Sequence, residues 1–92
     1  MALYWVSYDL DKPGQDYDDL IKRLKELGAS RILLSDWLLP HGSTTPEAIR
    51  NDLERFLDAN DRIMVAELHN NAAWRNLLIS NDAVIALFKN AR

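Results

Sequence analysis

The 92-residue chain is 48% hydrophobic, contains no cysteine and carries a formal net charge of -3. The missing thiols exclude a disulfide framework, a thiolate zinc site and a cysteine nucleophile. No apolar stretch is long enough to span a bilayer, and an acidic molecule repels phosphate backbones, so any nucleic-acid binding needs a local basic patch on an assembled surface. The length predicts one domain over 1–92 with a modest core and a short carboxyl-terminal extension from about residue 70; domains this small are often stabilised by pairing with a copy of themselves. The amino terminus lacks the basic-then-apolar pattern of a signal peptide, which predicts a soluble, cytoplasmic protein with no membrane partner.

The first apolar run, Leu3-Tyr4-Trp5-Val6-Ser7-Tyr8-Asp9, is rich in bulky and aromatic residues and predicts a strand over Ala2 to Asp9. Pro13-Gly14 cannot continue it, so Asp9 is expected at the strand's carboxyl end, near a sheet edge. Tyr17, Leu20, Ile21, Leu24 and Leu27 recur at helical spacing from about Asp16 to a stop at Gly28. Arg31 to Leu39 reads as a second strand ending at Pro40, with room to bend into two short ones. Thr45 before Pro46 is a helix-start signal, and Ile49, Leu53, Phe56 and Leu57 mark the buried stripe of a second helix that Asp58-Ala59-Asn60-Asp61 ends. Ile63 to Leu68 predicts the last strand. Beyond Asn70-Asn71 a helical tail carries Trp74, Leu77, Leu78, Val84, Ile85 and Phe88.

This order predicts an α+β fold, a ferredoxin-like βαββαβ sandwich with two helices on one face of an antiparallel sheet. Alternation sets Ala2, Tyr4, Val6 and Tyr8 against Leu3, Trp5 and Ser7, and Leu33, Trp37 and Leu39 against Ile32, Leu34 and Leu38. Both faces are apolar. Two coverings suit the second face: the same face of another copy, making a homodimer, or the tail that contains Trp74.

Five aspartates against one lysine lie between Asp9 and Asp19, a negative mouth able to hold a hard cation. Asp9 reads either as a metal ligand or as a turn former that accepts bonds from the following amides, and Asp11 has the same two readings. Asp16, Asp18 and Asp19 suit the first turn of a helix, where the backbone dipole favours negative charge. Ser35 is placed to position a phosphate or water near Asp9 if their strands adjoin. His41 and His69 lack metal-ligand spacing and read as loop histidines or a general acid. Lys22, Arg23, Lys25 and Arg31 form the strongest basic cluster, which Lys22–Glu26 and Asp19–Arg23 pairs are expected to neutralise. Trp5, Trp37 and Trp74 read as core or interface residues, or as base-stacking groups. Phosphate loops, nucleophile elbows and zinc spacings are absent.

Tyr8-Asp9 after the first strand, Gly28, Arg31-Ile32, Ser35 to Leu38 and Asp61-Arg62-Ile63 together resemble the small CRISPR-associated adaptation endonuclease family. Tyr8 to Tyr17, with Trp37-Leu38-Leu39 and Ala72-Ala73-Trp74, is similar to its SinR-like branch, grouped also with virulence-associated protein D, a toxin ribonuclease. The likeness covers about residues 2 to 78. It implies a ferredoxin-like homodimer whose two Asp9 carboxylates face one another across a cleft, bind Mg2+ and activate water to cleave RNA or DNA phosphodiesters. A noncatalytic dimeric module that recruits a protein partner, as in a toxin-antitoxin or adaptation complex, is the alternative expectation.

Overall fold

A computed structural model describes residues 1–11 and 17–91. It is an α+β domain with the order β1 (Ala2–Asp9), α1 (Asp18–Glu26), β2 (Ser30–Leu33), β3 (Asp36–His41), α2 (Pro46–Glu54), β4 (Arg62–Leu68) and α3 (Asn81–Asn90). The four strands form one sheet in the order β2-β3-β1-β4, and every neighbouring pair is antiparallel.

Local signals act where expected. Gly28, at φ +89, ends α1 in a Schellman turn: Ala29 N–H donates to the Leu24 carbonyl and Gly28 N–H to that of Lys25, each at 3.0 Å. Thr45 Oγ1 accepts from Ala48 N–H at 3.1 Å, and Pro46 opens α2 where its missing donor costs nothing. Both helices are shorter than their apolar stripes. Tyr17 is the cap of α1, and Phe56 and Leu57 lie in the turn after α2, half-buried against the core.

The expected strand through Leu39 is a hairpin. Its turn is Leu34-Ser35, and the register shifts between Arg31↔Trp37 and Leu33↔Asp36, so one extra residue bulges out of β2. The bulge buries Ile32 and turns Leu33 and Leu34 outward. Pro40 does not end the segment but pairs with Leu3 inside β3. On its other side the ladder has stopped at Ser30↔Leu38, so no β2 carbonyl loses a donor to the proline.

Alternation divides the core as expected in β1 and β3, whereas Leu33 and Leu34, expected on the two apolar faces, are exposed. Tyr4, Val6, Tyr8, Trp37 and Leu39 meet Leu20 and Leu24 of α1 and Ile49 and Leu53 of α2 on one face. The buried polar ends are bonded: Trp37 Nε1–H donates to Tyr8 Oη at 3.0 Å, and Tyr4 O–H to the Thr44 carbonyl at 2.9 Å.

On the second face Leu3, Ile32 and Leu38 are buried beneath the chain's own tail, through Leu77, Ile79, Leu87 and Phe88. The tail is helical only from Asn81. Before that it runs irregularly, with Asn76 in the left-handed region at φ 56, and Leu78 N–H bonds the Ile32 carbonyl on the outer edge of β2 at 2.9 Å. Ser80 Oγ then caps α3 by accepting from Ala83 N–H at 3.1 Å. Helical spacing over 70–80 is thus overridden by the edge bond and by a cap ten residues into the tail. The cover is partial: Met64, opposite Ser7 at the other end of this face, is 58% exposed.

Candidate functional site

Asp9 does lie at the carboxyl end of β1, but β1 is an interior strand, so the residue stands at the end of the sheet and not on a lateral edge. Alternation puts it on the face of Trp5 and Ser7. Its register partner is Arg62, whose Nη1–H donates to Asp9 Oδ2 at 3.0 Å. Their side chains are 70% and 81% exposed. An ion pair so open contributes about 0–1 kcal/mol, so it leaves the carboxylate accessible at little cost. Ser7, Met64 and this pair border a dent of about 200 Å³.

Ser35 lies in the β2–β3 turn, and its carbonyl accepts from Tyr8 N–H at 3.1 Å. The turn that carries Ser35 therefore adjoins the end of β1 through Tyr8, the residue before Asp9. Asp36 pairs across from Ser7, and its Oδ1 is buried without a hydrogen bond among the described residues. Asp36 and Arg62 enter the sequence reading only within longer strings, with no role at the site. Strand register sets Arg62 beside Asp9 and Asp36 across from Ser7, and no local pattern displays it.

Asp11 is held by its backbone. Its N–H donates to Asp61 Oδ1 at 2.8 Å, and the same oxygen accepts from Tyr17 O–H at 3.1 Å while Oδ2 accepts from Asp58 N–H at 2.7 Å. Asp61 is thus an anchor for the strand-end turn, a role missed because its three partners come from separate segments. Burial, reinforced by the bond to Asp61 and by the charges of Asp61, Asp58 and Asp11, raises the Tyr17 phenol above its ordinary range. Asp18 and Asp19 take the first turn of α1, and Asp16 lies outside the described residues. Among the described residues no three histidine or acidic side chains stand together as a metal-holding group.

Arg23 and Arg31 of the basic cluster are tied up, but neither the expected Lys22–Glu26 pair nor the Asp19–Arg23 pair forms among the described residues. Arg23 grips Asp52 of α2, with Nη2 at 2.7 Å and Nε at 3.1 Å, while Glu26 lies 3.9 Å off. Arg55 also bonds Asp52. The Arg23 bond, against the opposing effect of burial, holds the Asp52 carboxyl below its ordinary range. Arg31 donates to the Leu34 carbonyl at 2.6 and 3.0 Å and lies 5.3 Å from the Trp37 ring centroid. His41 accepts from Ser43 N–H at 3.1 Å within its own turn, and His69 is exposed after β4. Trp37 is a core residue, 1% exposed, whereas Trp5 and Trp74 are half-buried beneath and within the tail.

No family model matches the chain, and no solved structure matches it. Among the described residues, no helix is long and apolar enough to cross a membrane.

Proposed function

We propose that the protein is a ferredoxin-like homodimer of the SinR-like, CRISPR-associated kind, acting as a metal-dependent endonuclease on RNA or DNA through paired Asp9 carboxylates. The strand order β4-β1-β3-β2 with α1 and α2 on one face supports the topology. The observation that carries the site is the exposed Asp9–Arg62 pair on the end of the second face that the tail leaves bare.

Among the described residues of one chain no three acidic or histidine side chains form a metal-holding group, and a second copy docked at this end would add its own Asp9. A divalent ion between two such carboxylates offsets their repulsion and lowers the pKa of its bound water. Arg62, once Asp9 turns to the cation, is free to hold a phosphate oxygen, a charge-assisted contact suited to guanidinium. Ser35, in the β2–β3 turn beside Tyr8, is the positioning residue on this reading. Mg2+-dependent cleavage of RNA or duplex DNA by the wild type, lost in Asp9→Ala and weakened in Arg62→Ala, tests this reading. Equal residual activity in wild type and Asp9→Ala would end it.

A noncatalytic partner-recruiting module is favoured by a different observation. Leu33, Leu34 and Leu78, at 43%, 79% and 58% exposure, cluster where the tail joins the edge of β2. On that reading Leu34→Lys abolishes partner capture and Asp9→Ala changes nothing.

A further inference from the structure

We propose that the cavity between the sheet and the tail binds a small amphipathic carboxylate, its apolar body in the cavity and its headgroup on Arg75. This site is separate from Asp9 and does not depend on the nuclease reading. The cavity measures about 340 Å³, within the range of small-molecule pockets. Trp5, Ile32 and Leu38 form its floor on three strands, and Trp74 and Phe88 form its roof.

The roof is built. Trp74 and Phe88 stack with ring centroids 5.9 Å apart and planes within 4°, and Trp74 Nε1–H donates to Asn81 Oδ1 at 3.2 Å. That ties the irregular segment to the first turn of α3 and sets the next residue, Arg75, on the cavity wall. Asn76, directly after it, takes the left-handed conformation that turns the chain back towards the sheet.

Charge selects the ligand class. Arg23, Arg31, Arg50, Arg55 and Arg62 each donate to an acceptor within the chain. Arg75 is the exception among the described arginines: it is exposed and makes no ion pair or hydrogen bond there. An exposed, unpaired arginine lining an otherwise apolar cavity favours a carboxylate joined to a hydrocarbon or aromatic body, and disfavours an amine.

Octanoate, kept below its micellar concentration, is the probe, with octylamine and octanol as controls and the fluorescence of Trp5 and Trp74 as the readout. Octanoate is expected to shift the emission saturably and to bind about tenfold more tightly than octanol, the ratio that one charge-assisted contact supplies. Arg75→Gln should remove that preference, and Ala73→Leu, an exposed lining position, should weaken both ligands by narrowing the entrance. Circular dichroism confirms that each variant is folded. Equal binding of octanoate and octylamine, unchanged octanoate affinity in Arg75→Gln, or a wild type that responds to none of the three would overturn the proposal.

Discussion

The indole N–H of Trp37 donates to the hydroxyl of Tyr8 at 3.0 Å, a buried bond that ties β3 to β1 one residue before Asp9. Tyr8 is also held through its own N–H, which donates to the Ser35 carbonyl. Tyr8→Phe removes the acceptor and leaves the indole donor buried and unpaired. The expected cost is about 1–3 kcal/mol, read from urea denaturation. A change under about 0.5 kcal/mol, the scale of an ordinary surface substitution, would show that the bond contributes nothing.

Asp61 gathers Asp11, Tyr17 and Asp58 on two oxygens. Asp61→Ala should destabilise the fold by about 1–3 kcal/mol and lower the Tyr17 pKa towards an ordinary phenol. Because folding raises that pKa, the linked stability is full below the unfolded value of about 10 and is lost as pH rises through the folded one. Wild-type stability should therefore fall above about pH 10, and in Tyr17→Phe that decline should be shallower. Denaturation curves across the alkaline range, with phenolate absorbance, check both.

Asp52 behaves with the opposite sign. Arg23, joined by Arg55, depresses its folded pKa, so its contribution is present above the unfolded carboxyl value and disappears as pH falls through the folded value. Asp52→Asn is expected to lower the melting temperature at neutral pH and to flatten its decline under acid. Parallel acid-side profiles for wild type and variant would contradict the assignment.

Removing residues 70–92 uncovers Leu3, Ile32 and Leu38, each less than a tenth exposed beneath the tail. At about 1.5–3 kcal/mol per apolar side chain the loss rivals the whole stability of a small domain. Sedimentation should show the shortened chain associating beyond the state of the full chain, or circular dichroism its unfolding. A folded, strictly monomeric product would mean that the tail does not carry the second face.

Much of the frame was legible because its determinants are local. The aromatic run of β1, the Gly28 stop, the Thr45-Pro46 start and the apolar β4 each impose a backbone state through their own sterics and hydrogen bonds. Alternation likewise sorted Tyr4, Val6 and Tyr8 from Leu3 and Trp5, because side-chain direction in a strand has a period of two. Of the candidate site, Asp9 was legible as a strand end, whereas Arg62, Asp36 and Asp61 had no role that a local pattern could assign.

By itself, then, the sequence determined the order of strands and helices, both apolar faces and the position of Asp9 at the end of β1. The tertiary structure alone decided that Arg62 stands beside Asp9, that Arg23 pairs with Asp52 and not Asp19, that Pro40 is tolerated inside a strand, and that the tail roofs one end of the second face. The physical reason is range: turns, caps and alternation depend on residues a few positions apart, but pairings across 29 to 53 residues follow only from register and packing once the sheet has closed.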